Sequence, residues 1–533
     1  MPTKTIPYPE TGYFSNLLCD YLAEKDSLDA FYGHVPKLEN FKKQIKKKQG
    51  FTQESRAVLV ETLKKQYSNT SISKETQDNI QSLADENTFT ITTGHQLNLF
   101  TGPLYFLYKI FSVINLSEKL NKEHPENHIV PVYWMATEDH DFEEINYFNF
   151  DGKKIQWNRE ASGAVGELST KGLDEVLEVV QAKLGYSENA QYLTDLFKEG
   201  YTKHKTLTEA TRYLANELFK AYGLVIVDGN DASLKKAFNP YAKKELTENL
   251  SFKKVTDTTK QLTNLGYTEQ VHPREINLFY LKEGLRERIV ERDGMFYINE
   301  TDLSFSKEEL LQELENHPER FSPNALLRPL FQEVVLPNLC YVGGGGELAY
   351  WFQLKDYFDA VEVPFPMLLL RNSVMLLPAK LSEKLEKLDV SVADLFLKQH
   401  ELKTKQTHRI SEIDIDFSEQ REHLQQQFKD LYTVAKKTDD SFLGAVGAQE
   451  KKQLNGLDHL EKRLLKAQKR KLADELERLT AIQDTLFPKQ SLQERTMNFS
   501  EFYLEYGDTL LSGIKDNLDP LVNEFTVLGF DTI

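Results

Sequence analysis

Cysteine is nearly absent from this chain, since its 533 residues include only Cys19 and Cys340. Two distant cysteines exclude a disulfide framework and a four-cysteine zinc site, and they favour buried thiols in a reducing compartment. The sequence also lacks a run of about 18 apolar residues that could span a membrane. Its N-terminus lacks the charged and apolar segments of a signal peptide. We therefore expect a cytoplasmic protein.

An excess of basic residues is also absent. The chain has 82 acidic and 65 basic side chains and a formal net charge of −17. A general nucleic-acid-binding protein needs a basic face, so this class is excluded, whereas a local basic pocket is not. The hydrophobic content of 40% and charged content of 28% are those of a folded globular protein. The length predicts two or three domains.

Short apolar runs rich in β-branched and aromatic residues begin near residue 88, and helical patterns separate several of them. Such runs are typical of a parallel sheet with helices on both faces. We predict an α/β fold with a Rossmann-like parallel core whose strands lie at Thr88–Thr92, Ile129–Met135, Leu224–Val227, Leu339–Val342 and Phe365–Leu370. After the first strand, Thr101 is positioned to cap a helix and Pro103 to occupy its first turn.

The remaining segments suggest four parts of the chain. Residues 1–87 are predicted to be a helical segment that packs on the core, and residues 88–380 the core itself, with insertions near 151–200 and 250–325. Arg292-Asp293-Gly294 suits a hairpin turn within the second insertion. Residues 381–497 are predicted to form a helical coiled-coil domain, and residues 498–533 to dock back on the core.

Leucines at seven-residue spacing predict an antiparallel helical hairpin in the third part. Leu424 and Leu431 lie on its first arm, Leu465 and Leu472 on its second, with a turn at Ser441–Gly447. A lone hairpin leaves apolar surface exposed. It is expected to pair with a second copy in a two-fold homodimer, and the alternative is a hairpin folded flat on its own globular domain.

Polar residues follow every predicted strand. In an open parallel sheet, ligands bind at the carboxyl ends of the strands. The candidates are Gly94, His95, Gln96, Asn98, Thr101 and Gly102 after the first strand, Glu138, Asp139, His140, Asp141 and Glu144 after the second, Asp228 to Asp231 after the third, Gly343, Gly344, Gly345, Gly346 and Glu347 after the fourth, and Arg371 after the fifth, with Arg328 preceding the fourth.

Each candidate permits more than one interpretation. His95 is either a core or capping histidine or a contact for phosphate near a helix N-terminus. The four glycines are either a tight turn or a loop that approaches phosphate or substrate, and they lack the lysine of a phosphate-binding loop. The acids from Glu138 to Glu144 suit a solvated loop, a hard divalent ion or a substrate ammonium group, and we favour the ammonium group. Arg328 and Arg371 suit ion pairs or a substrate carboxylate.

At these same residues the sequence resembles the BshC family of bacillithiol biosynthesis. The segments that carry the resemblance are TGHQLNLFTGP (residues 93–103), PVYWMATEDHDFEEIN (131–146), LRPLFQE (327–333) and LPNLCYVGGGGELAYW (336–351). The resemblance begins near Phe31-Tyr32 and covers nearly the whole chain. It implies a core similar to class I aminoacyl-tRNA synthetases and nucleotidyltransferases, with connecting-peptide insertions and a dimer-forming C-terminal coiled coil.

The resemblance also implies an amide-forming ligase that adds L-cysteine to glucosaminyl-malate, with ATP as the activating co-substrate and no assigned metal. On this basis His95, Glu138 and Asp141 are catalytic candidates. Substrate binding is assigned to Gln96, Asn98, Asp139, His140, Glu144, Arg328, Glu347 and Arg371, and nucleotide binding to Gly94, Thr101, Gly102 and Gly343–Gly346.

Two other functions fit the sequence less well. A nucleotide-binding scaffold, whose hairpin recruits a partner, would not need converging acids, histidines and arginines. A tRNA-aminoacylating enzyme would need a basic surface and the signature segments of its class. Here Thr93-Gly94-His95-Gln96 has the Gly-His pair without the preceding histidine, and no Lys-Met-Ser-Lys-Ser segment occurs.

Overall fold

The computed structural model describes residues 3–530. It divides into two compact units. The first comprises Met1–Leu376 and Leu492–Ile533, and the second comprises Leu377–Ser491. Within residues 3–530, no helix is both long and apolar enough to cross a membrane.

A five-stranded parallel sheet forms the centre of the first unit. Its strands are β1 (Thr88–His95), β2 (His128–Met135), β3 (Val225–Asp228), β4 (Asn338–Gly343) and β5 (Met367–Leu370). They lie in the order β5-β4-β1-β2-β3, and each neighbouring pair is parallel. The predicted Rossmann-like parallel core is confirmed. Both faces of the sheet are covered, so β1 and β4 are buried along their whole length, including the four threonines of β1.

The order of the strands reverses between β1 and β4. The chain runs outward from β1 through β2 to β3, and then returns to place β4 on the other side of β1. In doubly wound sheets this reversal opens a crevice at the carboxyl ends of the two diverging strands. The sheet therefore locates a binding site before any side chain is considered.

The first crossover helix, α1 (Tyr105–Glu123), packs against β1 and β2. The prediction that Thr101 caps this helix is wrong. The helix is preceded by Leu104, which makes no side-chain cap, and Thr101 lies in a separate 3-10 turn, Leu99–Thr101. Phe100 and Thr101 both have positive φ, 47° and 67°, so the chain reverses there and enters the helix four residues later. Tertiary packing, and not the capping preference of Thr101, therefore determines where the helix begins.

The segment before β1 is mostly helical, and it begins with a strand that the sequence did not predict. Thr3–Pro7 pairs antiparallel with Glu524–Phe530, which lies beside Val374–Pro378 in a three-stranded sheet. The helices of the segment are Tyr8–Thr11, Asn16–Leu22, Leu38–Lys48, Gln53–Gln66 and Lys74–Ser82. Those that follow Ser491 are Gln493–Thr496, Phe499–Tyr506 and Thr509–Asn517. The strands Thr3–Pro7 and Glu524–Phe530 thus join the first and last described segments in one folded unit.

Two regions interrupt the parallel sheet. The first contains the hairpin Tyr147–Phe150 and Lys153–Gln156, followed by the helices Leu173–Leu184, Glu188–Lys203 and Leu207–Phe219. After β3 come the helices Ala232–Glu248 and Leu250–Asn264. A five-stranded antiparallel sheet follows, which we call the inserted sheet, in the order Ser304–Phe305, Met295–Ile298, Leu285–Arg292, Leu278–Lys282, Phe321–Pro323. The predicted hairpin turn is present, because Arg292 pairs with Met295.

The second unit is helical. Its helices are Ala379–Lys387, Gln399–Ile410, Ser418–Ala435, Asp440–Lys471 and Ala473–Leu486. Ser418–Ala435 and Asp440–Lys471 form a hairpin around Phe428, Ala435 and Val446. The predicted turn at Ser441–Gly447 is wrong, since those residues are helical. The turn lies at residues 436–439, where the Asp439 side chain caps the second helix by accepting from Phe442 N.

Candidate functional site

A cleft of about 910 Å³ lies at the carboxyl ends of β1, β2 and β4, where the strand order reverses. The parallel sheet supplies one wall and the inserted sheet supplies another. Of the predicted residues, the cleft is lined by Gly94, His95, Gln96, Glu138, Asp139, His140, Asp141, Arg328, Gly344, Gly345, Gly346, Glu347 and Arg371. Residues from five separate segments of sequence thus share one cavity.

The other predicted residues do not line this cleft. Thr101 is buried, and its carbonyl accepts from His95 Nε2 at 3.4 Å. Asn98 donates to Glu144 O at 3.3 Å and packs against Gly102. Glu144 accepts from Gln96 Nε2 at 2.9 Å. Gly343 is the last residue of β4, and its carbonyl accepts from Arg371 N at 2.9 Å. Thr101, Glu144 and Gly343 are each bonded to a residue of the cleft wall, namely His95, Gln96 and Arg371.

A buried lysine of α1, Lys109, lines one end of the cleft. Its Nζ donates to Gly94 O at 2.7 Å and lies 2.6 Å from Glu347 Oε2. Glu347 also accepts from Tyr341 OH and Gly344 N, both at 2.8 Å. Burial acts to raise the Glu347 pKa, but the charge and hydrogen bond of Lys109 outweigh it and lower the pKa to about 2. Glu347 is therefore ionised and fixes the glycine loop.

Arg328 and two tyrosines lie beside this ion pair. The Arg328 guanidinium donates to Tyr350 OH at 2.9 Å and to Gln332 Oε1 at 3.1 Å, and lies 5.6 Å from the centre of the Tyr341 ring. Gly94 is next to it, because a Cβ there would lie 3.2 Å from Tyr341 OH and 3.6 Å from Arg328 Nη1. None of these contacts neutralises Arg328 with a carboxylate, so its charge is available to an anion in the cleft.

Arg371 is held differently, by a buried bidentate ion pair. Its Nη1 and Nη2 donate to the two carboxylate oxygens of Glu494 at 3.0 and 2.7 Å. Its Nε is buried without a hydrogen-bond partner, and a Cβ on Gly344 would lie 3.8 Å from it. The guanidinium also lies 5.1 Å from the centre of the Tyr105 ring. Arg371 was thus predicted at the site from the sequence, but its partner Glu494 lies 123 residues later in the chain.

The acids after β2 line the opposite part of the cleft. Glu138 is paired with buried Lys235, whose Nζ lies 2.6 Å from Glu138 Oε1. Asp139 accepts from Gln96 Nε2 at 3.0 Å. One ligand atom each from Asp139, His140 and Asp141 lie within 4.8 Å of one another, a spacing that would suit a cation. His140 Nδ1 is already engaged by Arg286 at 2.7 Å, however, which leaves the two carboxylates as the open groups.

The balance of charge in the cleft is opposite to that of the chain. Four acids line it, namely Glu138, Asp139, Asp141 and Glu347, together with seven cations: Lys109, Arg274, Arg286, Arg288, Arg328, Arg371 and Arg495. The whole chain has a net charge of −17. Three of the acids come from one loop, and three of the arginines come from the inserted sheet and the segment before it. Such a cleft suits a ligand with several negative groups and one positive group.

Sequence reasoning missed several of these groups. Lys109 had a signal that we overlooked, because it is the only charged residue in the apolar stretch Phe106–Ile114 of α1. Lys235 and Arg286 gave no local signal, since their partners Glu138 and His140 lie 97 and 146 residues away in sequence. The aromatic lining residues were missed for the same reason; they are Tyr105, Trp134, Phe279, Tyr341 and Tyr350.

His95 is a neutral histidine. Burial, with a further effect of the Lys109 charge, lowers its pKa to about 3. Its Nε2 donates to Thr101 O, so the lone pair is on Nδ1. Its ring packs against Phe106 at 4.8 Å and Tyr105 at 5.5 Å. At neutral pH this side chain contributes no positive charge to the cleft.

This pKa predicts how stability depends on pH. Between about pH 6.5 and pH 3 the unfolded chain binds a proton at His95 that the folded chain does not, so stability falls as the pH is lowered. Between pH 7 and pH 5 the loss should be about 2 kcal/mol smaller in His95→Gln than in the wild type, at about 1.4 kcal/mol per pH unit below pH 6.5. Urea unfolding followed by tryptophan fluorescence measures it, because Trp134, Trp157 and Trp351 all lie in the first unit.

The control for this prediction is His272→Gln, since the His272 side chain is 66% exposed and lies in the first unit, on which the fluorescence reports. This variant should lose as much stability between pH 7 and pH 5 as the wild type does. Equal losses in His95→Gln and the wild type would show that His95 titrates normally in the folded chain.

Comparison with known proteins agrees with this architecture. The family model described as Bacillithiol biosynthesis BshC, N-terminal Rossmann-like domain, matches residues 1–372, and the corresponding C-terminal coiled-coil domain matches residues 374–530. A protein of Christiangramia forsetii named "Putative cysteine ligase BshC" is 58% identical over 535 residues, covering 99% of each chain. A protein of the same name from Flavobacterium johnsoniae is 57% identical over 529 residues, covering 99% of this chain and 100% of the relative.

One solved structure is also similar at a low level. It is described as a "putative arginyl t-RNA synthetase" from Campylobacter jejuni, is 10% identical, and aligns over 83% of this chain and 95% of its own with a TM-score of 0.21. A likeness of that size carries no argument about fold or activity.

Proposed function

The chain belongs to the BshC family, and we propose that its cleft forms the amide bond between L-cysteine and glucosaminyl-malate that completes bacillithiol. The relatives at 58% and 57% identity, named as cysteine ligases, span essentially the whole chain. The cleft supports the proposal independently, since it lies at the strand-order reversal of a Rossmann-like sheet and is rich in arginine. We infer that the chain is a ligase of small molecules.

The observation that carries this proposal is the separation of charge in the cleft. Glucosaminyl-malate has one ammonium group and two carboxylates. The acids Glu138, Asp139 and Asp141 follow β2 and suit the ammonium group, with Glu144 behind them bound to Gln96. The inserted sheet and the segment before it present two further arginines to the cleft, Arg288 and Arg274. Arginine forks match carboxylates and phosphates.

Joining a carboxylate to an amine in water is uphill, so the carboxyl group of cysteine requires activation. We propose that ATP supplies it, with the cysteine carboxylate displacing pyrophosphate and the amine then displacing AMP. His95, Lys109 and the glycines Gly344–Gly346 border the end of the cleft that would hold the phosphates, with Arg328 and Arg371 beside them. These groups act by positioning reactants and stabilising negative charge.

The test is a direct assay with the purified chain. ATP, L-cysteine and glucosaminyl-malate should yield bacillithiol by mass spectrometry, with AMP and pyrophosphate formed in equal amounts to the thiol. Release of ADP and phosphate would replace the adenylate route by an acyl phosphate while leaving the ligase assignment intact. No product with any nucleoside triphosphate would contradict the ligase assignment.

We also propose that the chain is a homodimer joined through its coiled coil. The second unit exposes Leu431, Val434, Phe442 and Leu460, at 46%, 56%, 46% and 53% of their surface. A second copy would cover such residues in a two-fold arrangement. Light scattering should give about twice the chain mass of 61.6 kDa at micromolar concentration, and Val434→Glu with Leu460→Glu should give the monomer. A wild-type monomer at that concentration would contradict the dimer.

A further inference from the structure

His140 is in hydrogen-bond contact with a neighbouring arginine of the inserted sheet. Arg286 Nη1 lies 2.7 Å from His140 Nδ1. A guanidinium nitrogen only donates hydrogen bonds, so His140 Nδ1 must provide the lone pair that accepts. The proton of the neutral ring is then on Nε2. Within residues 3–530, Nε2 has no hydrogen-bond partner, and the Asp141 Oδ1 at 3.9 Å is beyond reach.

Arg286 itself is held firmly. It is 8% exposed, its Nε donates to Ser322 Oγ at 3.1 Å, and its guanidinium lies 4.1 Å from the centre of the Phe279 ring. Its Nη2 donates to Pro323 O at 3.4 Å. All four residues belong to the inserted sheet, and the Phe279 ring also contacts the His140 ring at 5.5 Å. The arginine therefore presents Nη1 to His140 in one fixed direction.

Two carboxylates lie near the His140 ring without bonding to it. Asp139 Oδ1 and Asp141 Oδ1 lie 3.8 and 3.9 Å from the ring nitrogens, beyond hydrogen-bond reach. A proton on Nδ1 would point at the Arg286 N–H, so cation formation would require this hydrogen bond to break.

We propose that Arg286 is a positioning residue that fixes His140 as the neutral tautomer with its proton on Nε2. His140 lines the cleft and its side chain is 42% exposed, so it offers Nε2–H as a hydrogen-bond donor to an anionic group of the bound substrate. It does not serve as a general base. The hydrogen bond from His140 to the substrate rests on the proposed ligase function. In that reaction the attacking ammonium group passes its proton to a carboxylate of the loop that carries His140. The tautomer itself does not depend on that function.

The tautomer is measured without any substrate. Long-range proton–nitrogen spectra of the full chain, labelled with ¹⁵N-histidine, distinguish a nitrogen that bears a proton from one that bears a lone pair. The His140 signals are identified by their loss in His140→Asn. At pH 7.5 we expect the proton on Nε2 and the lone pair on Nδ1. A proton on Nδ1, or on both nitrogens, would overturn the proposal.

Chemical modification tests the role of Arg286. Diethyl pyrocarbonate attacks an imidazole lone pair, and in the wild type the only lone pair of His140 is bonded to Arg286. Peptide mass spectrometry at pH 7.5 should show His140 reacting about tenfold more slowly than His400, the factor that a charge-assisted hydrogen bond contributes. Arg286→Met should remove this protection. Arg288→Met, which changes a neighbouring cleft arginine on the same strand, should retain it.

Kinetics then separate positioning from general structural damage. If Arg286 acts through His140, Arg286→Met should lower kcat in the wild type and have little further effect in a His140→Asn background. Full additivity of the two changes, or an Arg286→Met variant that leaves His140 protected, would contradict the proposal. A chain with no ligase activity would contradict the proposed function alone, because the spectra and the modification rates would stand.

Discussion

Replacing Lys109 by methionine is expected to lower the kcat of the proposed ligation by about 100- to 1000-fold, the usual effect of removing one preorganised donor from a reacting oxyanion. Lys109 is buried, lines the cleft, and uses Gly94 O and Glu347 Oε2 as fixed partners. An ammonium group has three N–H donors, so one remains for a phosphate or carboxylate in the cleft. The quantity to measure is kcat at saturating ATP and cysteine.

The controls distinguish this donor from the ion pair that surrounds it. Lys119→Met removes an exposed lysine of the same helix, paired with Asp519 at 2.8 Å, and should leave kcat unchanged. Lys109→Met with Glu347→Gln removes both charges, which avoids an unpaired buried carboxylate. If the double variant recovers stability but not activity, the lysine itself is required. Recovery of kcat in the double variant would show that Lys109 only neutralises Glu347.

The sheet and its functional edge were predictable from the sequence because parallel strands carry an unusually clear pattern. A strand buried on both faces lacks the polar alternation of a half-exposed strand, so β1, rich in β-branched residues, and the Leu339–Val342 run of β4 stood out as short segments close to a glycine. Once the strands are placed, topology brings their carboxyl ends together, and His95, Glu138 and Glu347 reach one cleft without any knowledge of side-chain packing.

The partners of those residues were not predictable in the same way. Glu138 is paired with Lys235 from a later helix, His140 with Arg286 from the inserted sheet, and Arg371 with a residue of the C-terminal segment. Each of these partners is a charged residue in an ordinary amphipathic element, and only tertiary structure shows that it is buried. The sequence therefore indicated which groups meet the ligand, and the structure adds which groups set their charge.

The misplaced turn of the coiled-coil hairpin has a similar cause. Gly444 and Gly447 suggested a break, because glycine is unfavourable inside a helix by about 1 kcal/mol. In the structure Gly447 instead allows the two arms to approach, since a Cβ there would lie 3.1 Å from Tyr432 OH. The turn instead ends at Asp439, whose side chain caps the second helix. Aspartate is a common N-cap residue, but a single aspartate is a weaker indication of a turn than two glycines.

Replacing Glu494 by glutamine is expected to destabilise the first unit by about 3–5 kcal/mol, because it leaves the buried charge of Arg371 without a counter-ion. The two side chains are only 5% and 1% exposed and meet at 2.7 Å. Burial alone would lower the Arg371 pKa, but the Glu494 carboxylate outweighs it and raises the pKa. The guanidinium therefore remains charged in Glu494→Gln, and its unpaired buried charge lowers the free energy of unfolding. Glu494 also accepts from Val374 N at 2.9 Å, which a neutral amide retains through its oxygen.

The measurement is urea unfolding followed by tryptophan fluorescence, which reports on the first unit alone because all three tryptophans lie there. Asp519→Asn, which breaks the exposed pair with Lys119, is the matched control and should cost at most about 1 kcal/mol. A loss in Glu494→Gln no larger than in this control would contradict the prediction. Arg371→Met with Glu494→Gln should recover most of the stability, since it removes both buried charges and the amide oxygen still accepts from Val374 N. Because Arg371 also lines the cleft, we expect the same double variant to remain impaired in ligation. A stable but inactive protein would show that this buried ion pair is needed for the reaction and not for the fold.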